Sequence, residues 1–154
     1  MKRRVILLSL AVLFVSVTVC LADDPHMGTW KLNEAKSKIS PGAPKNNTVV
    51  YEAAGDSVKV TVDGVDADGN AAHSEWTGKF DGKYYPVSGD PTSDMRSYRK
   101  INNHTLALTG KKGSKVTLNG RITVSANGRT RTVTTTGTNS KGKRISTRAV
   151  YDKQ

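Results

Sequence analysis

The residues best suited to hold a small molecule are Tyr51, Trp76, Tyr98 and Arg131. Tyr51 shares its side of an alternating run with Val49, and Trp76 shares its side with Gly78 and Phe80, opposite His73, Glu75, Thr77 and Lys79. An amphipathic ring in such a place can stack on a flat apolar ligand and offer one hydrogen bond. The same rings could equally fill a small interior with no ligand at all. Arg131 sits in a longer puzzle. Thr130, Thr132, Thr134, Thr136 and Thr138 occupy one face of their segment, and Arg129, Arg131, Val133, Thr135 and Gly137 occupy the other. If Val133 points inward, so does Arg131, and a buried guanidinium requires an anion or carboxylate beside it. If the threonines point inward, that wall is polar. An outward threonine row is ordinary strand propensity.

Other chemistry lacks its residues. There is no Gly-x-Ser-x-Gly elbow and no phosphate-binding Gly-Lys-Ser/Thr loop. Ser74 beside His73 falls on the opposite face of its strand, so the two cannot form a nucleophile–base contact. Asp66, Asp68 and Asn70 suggest a calcium loop. Counted from Asp66, however, Ala71 stands at the position that needs glycine and Thr77 at the one that needs glutamate. His26, His73 and His104 are scattered, and only His73 and Glu75 share a face. The expectation is therefore a protein without catalytic residues, metal or cofactor.

The elements that must position these residues are strands. Val58, Val60 and Val62 alternate with Lys59, Thr61 and Asp63; Val116, Leu118, Ile122 and Val124 alternate with Thr117, Asn119, Arg121 and Thr123. This is the period of half-buried antiparallel strands. Eight breaks punctuate the pattern: Gly55-Asp56, Asp68-Gly69-Asn70, Asp81-Gly82, Ser88-Gly89-Asp90-Pro91, Asn102-Asn103, Lys112-Gly113-Ser114, Asn127-Gly128 and Ser140-Lys141-Gly142. Asp-Gly and Asn-Gly favour tight hairpins. With an earlier strand over Thr29–Asn33, the count is about ten. Pro41, Gly42 and Pro44 allow Glu34–Lys45 no more than a turn of helix. Consecutive hairpins form a meander, and closing it removes two exposed edges. The fold expected is all-β, a single antiparallel meander barrel of about eight to ten strands. A continuous void of roughly 300 Å³ or more in it would favour a carrier.

Gly28-Thr29-Trp30, just before the first strand, resembles the Gly-x-Trp signature of lipocalins. Ser93-Asp94-Met95-Arg96-Ser97-Tyr98 echoes their second signature, with Met95 in place of a tyrosine. The chain is similar in pattern to lipocalin-like proteins that bacteria export. This resemblance implies a calycin-type barrel holding a small apolar or amphipathic molecule, with Trp30 plugging one end. It also implies an arginine of the last strand packed across the indole, a contact that excludes water. Arg148 is the candidate and Arg144 the alternate. Ten strands suit the intracellular fatty-acid-binding relatives, but the Glu34–Lys45 link has no room for their two-helix lid. Their Arg-x-Tyr is replaced by Arg148-Ala149-Val150-Tyr151.

The chain of 154 residues, with one cysteine and a formal charge of +11, divides into two parts. Lys2, Arg3 and Arg4 precede an apolar run from Val5 to Val19, and Cys20-Leu21-Ala22 supplies the small residues of a cleavage site. Residues 1–22 thus read as a signal peptide and 23–154 as the barrel domain, exported to the periplasm or beyond. Cleavage after Ala22 removes the cysteine. No transmembrane segment is expected in the mature chain. Its charge is uneven: residues 23–94 hold 12 acids and 7 bases, whereas 95–154 hold 14 bases and one acid, Asp152. Such a half can attach to anionic envelope lipid or glycan, or can be a solvated basic face. Only Arg96-Ser97-Tyr98-Arg99-Lys100 interleaves bases with an aromatic as nucleic-acid binders do, so nucleic acid is not an expected partner.

Overall fold

The computed structural model describes residues 23–154; the expected signal peptide over 1–22 lies outside them. Eleven strands form one sheet: β1 (Gly28–Leu32), β2 (Lys38–Ile39), β3 (Lys45–Ala54), β4 (Ser57–Val65), β5 (Ala71–Gly78), β6 (Asp81–Ser88), β7 (Met95–Asn102), β8 (Thr105–Lys112), β9 (Lys115–Val124), β10 (Thr130–Thr138) and β11 (Arg144–Lys153). Each strand from β3 onward pairs antiparallel with the next. β1 then bonds to β3 on one side and β11 on the other, Trp30 facing Val49 and Lys153. The result is a closed ten-strand meander with no long free edge, plus the two-residue β2. Among the described residues no helix is long and apolar enough to cross a membrane.

β2 lies in the stretch expected to hold no strand. A 3₁₀ turn at Glu34–Lys36, capped by the Asn33 side chain accepting from the Lys36 backbone N–H, kinks the chain. Lys38 and Ile39 then return to the same β11 that β1 follows, opposite Arg148 and Thr147. Seven of the eight turn signals fall between strands. Asp81-Gly82 instead lies inside β6, where the register slips between Asp81 and Tyr84; the chain reverses earlier, at Lys79-Phe80. The β5–β6 seam is accordingly short, with only Glu75↔Ser88 and Trp76↔Val87 in register. Gly78 explains part of this. A Cβ there would lie 2.6 Å from both the Trp76 and Tyr85 side chains, so Tyr85 closes against bare backbone.

The core follows the alternation. Val49, Tyr51, Val58, Val60, Trp76, Tyr98, Leu106, Ile122, Val124, Ala149 and Tyr151 are buried inside. The burial is uneven along the barrel axis. One end, here the base, is packed with aromatic rings; the other, the mouth, is framed by the turns after β4, β6 and β10.

Candidate functional site

The base is built by a short segment ahead of β1. Asp24 caps it, accepting from the His26 backbone N–H at 3.0 Å and from Lys100 Nζ at 2.8 Å. Trp30 is 0% exposed and donates from Nε1 to the His26 carbonyl at 3.0 Å. The His26 ring lies edge-on to Phe80, 6.2 Å between centroids. Neither of its nitrogens has a protein partner among the described residues. Burial lowers the His26 pKa to about 4, against a raising influence from Asp24, and Arg131, Lys100 and His104 lower it further.

Above this plug lies a ring cluster. Tyr51 and Tyr98 meet edge to face at 6.3 Å, and Tyr98 meets Trp76 at 4.6 Å. Trp76 donates from Nε1 to the Arg96 carbonyl at 3.0 Å.

Arg131 is the unusual member. Its face of β10 points inward and the threonine row outward, which settles the alternative left open by the sequence. The residue is 3% exposed. Nη2 donates to the Tyr51 hydroxyl at 2.7 Å. The guanidinium carbon lies 4.6 Å from the Tyr51 ring centre, 5.6 Å from Tyr151 and 6.0 Å from Trp30. Among the described residues its Nε and Nη1 have no hydrogen-bond partner and no carboxylate forms a salt bridge with it. Burial pushes the Tyr51 hydroxyl well above its ordinary pKa, and the nearby Arg131 charge only partly opposes that. The same two influences act on Tyr151. Both phenols are therefore neutral at physiological pH and supply no counter-charge.

A cavity of about 250 Å³ begins at this cluster and runs to the mouth. At about 30 Å³ per water it has the volume of roughly eight waters, somewhat below the roughly 300 Å³ where drug-sized sites begin. Tyr51, Tyr98, Tyr151 and Arg131 border its depth; residues 66–68, 89–92 and 139–140 border its mouth. Arg96 also borders it, with Nη2 2.6 Å from the Asp90 carboxylate.

Three of the four expected ligand residues, Tyr51, Tyr98 and Arg131, therefore reach the cavity. Trp76 does not. It is inside the barrel and buried, but lies behind Tyr98 with its polar edge tied to the β7 backbone, so it does not border the cavity. Arg148 and Arg144 do not close the barrel over Trp30 either. Both are exposed, and Arg148 donates to the Lys36 carbonyl at 3.4 Å. The register explains the correction. Lys153 stands opposite Trp30, so Arg148, five residues away, has the other parity and lies about 16 Å along the strand. The cations at the indole are Lys153, 5.1 Å from the ring, and Arg131 from the neighbouring strand.

Sequence reasoning missed His26, Arg96, Asp90 and Tyr151. Arg96 and Tyr151 were within reach, since each shares parity with a buried neighbour, Tyr98 and Ala149 respectively. His26 precedes the alternation and carries no such signal. His73 belongs elsewhere: on the outer wall its Nδ1 lies 2.6 Å from Asp63 and its Nε2 3.6 Å from Glu75.

No protein-family model matches the chain, and no curated protein matches it. A solved structure described as "Structure of EF1p2_mFAP2b bound to DFHBI" is similar over 84% of this chain and 94% of that one, at 10% identity and a TM-score of 0.47.

Proposed function

We propose that this protein is an exported, non-enzymatic, lipocalin-like barrel that binds a small amphipathic anion, acid group first, in its interior cavity. One observation carries the reading: a buried guanidinium at the floor of a cavity whose Nε and Nη1 have no hydrogen-bond partner, and which no carboxylate salt-bridges, among the described residues. Burying an unpaired charge costs several kcal/mol. A ligand carboxylate entering from the mouth would supply an acceptor for Nε or for Nη1, and the second proton of Nη2 would complete a two-pronged contact on that edge. Tyr51, Tyr98 and Tyr151 would hold the body of the ligand against their ring faces and edges. The volume favours a compact acid, aromatic or short-chain, over a long-chain lipid.

Titration with phenylacetate, benzoate and octanoate, followed by tryptophan fluorescence and native mass spectrometry, tests this. Trp76 lies against Tyr98 and reports events at the cavity wall. Saturable one-to-one uptake that Arg131→Met abolishes is the expected result. A flat response to all three acids, or uptake unchanged in Arg131→Met, removes the proposal.

A further inference from the structure

The outer wall over β9, β10 and β11 carries a second feature, unconnected with the cavity. Three strands in register place nine outward residues in a grid. Asn119, Thr136 and Ser146 form one row, Arg121, Thr134 and Arg148 the next, and Thr123, Thr132 and Val150 the third. Neighbouring strands lie about 4.8 Å apart, so the two arginine Cα atoms of the middle row stand about 10 Å apart with a threonine between them. Lys38 on β2 continues this row beyond Arg148. Asn119, Arg121, Thr134, Thr136, Ser146 and Arg148 are all exposed, and the β9 and β10 members wall a shallow depression. None of the salt bridges formed among the described residues includes Arg121, Arg148 or Lys38. The opposite wall differs. There Lys59 pairs with Glu75, His73 with Asp63, and Lys79 with Asp56.

We propose that this grid binds an acidic glycan, a chain of carboxylate-bearing sugars. Five properties choose that partner. The charged members at its centre are arginines, whose planar forks match a carboxylate with two parallel hydrogen bonds. Between and beside them stand short hydroxyl and amide side chains, which exchange hydrogen bonds with sugar hydroxyls. The grid holds no aromatic platform for stacked bases. It also has no exposed large apolar group to enter a bilayer: the exposed large hydrophobics, Ile101 and Val116, lie outside it. The strand pairing also fixes the spacing of the arginine backbones in advance, so less ordering entropy opposes binding.

Retention of the full mature chain on immobilised polygalacturonate, at low and at high salt, measures this. Neutral dextran and vesicles containing phosphatidylglycerol run in parallel. Binding to polygalacturonate should fall steeply with salt, and Arg121→Gln/Arg148→Gln should weaken it at least tenfold. Lys112→Gln/Lys115→Gln removes two charges from the same basic half but outside the grid, and should weaken it only about twofold. Thermal melts check that both double variants fold, and Arg131→Met, which empties the cavity site, should bind the polymer normally. The assignment is overturned if the two double variants lose equal affinity, which would mean diffuse charge. It is equally overturned if vesicles are bound and polygalacturonate is not, or if neither is retained.

Discussion

Two guanidinium groups reach the same cavity and are treated in opposite ways. Arg96, near the mouth, has a carboxylate built for it: Asp90, six residues earlier in the turn after β6, sits 2.6 Å away. That carboxylate is itself fixed by the Thr92 hydroxyl and backbone N–H. Arg131, at the floor, has a phenol, three ring systems and no acid. The chain does supply carboxylates to the base, since Asp24 is there, but Lys100 and a backbone N–H occupy it. Where a buried cation only holds architecture together, the fold brings its counter-ion along. A cation left without one is the feature on which the proposed acid site rests.

The largest effect should come from removing the counter-ion that the protein does supply. Asp90→Asn leaves the Arg96 side chain, 11% exposed, charged and without a counter-ion. Breaking such a pair from one side costs about 4 kcal/mol. Urea unfolding of the variant should show that loss at unchanged m-value. A loss below about 1 kcal/mol would mean that water, not Asp90, satisfies Arg96, a value set by the exposed-pair range, and the contrast between the two arginines would weaken.

A second test asks whether the base tolerates another cation. His26 faces Asp24, Lys100, Arg131 and His104, and its pKa falls from 6.5 in the open chain to about 4 in the fold. The unfolded chain therefore binds the proton first. Stability from this group is complete above about pH 6.5 and is lost as pH falls toward 4. Each pKa unit is worth about 1.4 kcal/mol, so the loss is about 3 kcal/mol. His73 on the outer wall acts in the other sense, because hydrogen bonding to Asp63 raises its pKa. Comparing the protein with His26→Phe across pH 7 to 4 cancels the His73 contribution, and the acid-side slope should shrink in the variant. Equal slopes would show that the plug admits water to the ring.

Legibility follows what a period of two can encode. Alternation tells which side of a strand a residue takes, so the barrel and the inward faces of Tyr51 and Trp76 are readable. It says nothing of depth behind that side, and Trp76, inward yet screened by Tyr98, shows the limit. Nor does it fix register between distant strands. The resemblance implies an arginine of the last strand over Trp30, and Arg148 lies on that strand, but the β1–β11 pairing puts Lys153 there. The Thr130–Thr138 segment was undecidable because both its faces are polar except for Val133. Only the packing of Val133 against the core selects the arginine face as the inner one.

The smallest effect is also the most discriminating. Arg131→Met replaces the unpaired cation with an apolar chain of similar length. Exchanging buried ions for apolar groups of similar volume is commonly neutral or favourable by about 1–4 kcal/mol. Here the gain is reduced, because the Tyr51 hydroxyl loses its donor and an unsatisfied buried hydroxyl costs about 1 kcal/mol or more. The net expectation for ligand-free protein is a gain of about 1 kcal/mol. Tyr51→Phe/Arg131→Met removes both polar groups together and should gain more than the single change. Ligand reverses the order. A saturating acid stabilises the unaltered protein by an amount that grows with the logarithm of its concentration over Kd and leaves both variants where they were, so their melting curves cross as acid is added. A single variant several kcal/mol less stable than the ligand-free protein would show that Arg131 serves the fold as Arg96 does, and the distinction between the two arginines would be gone.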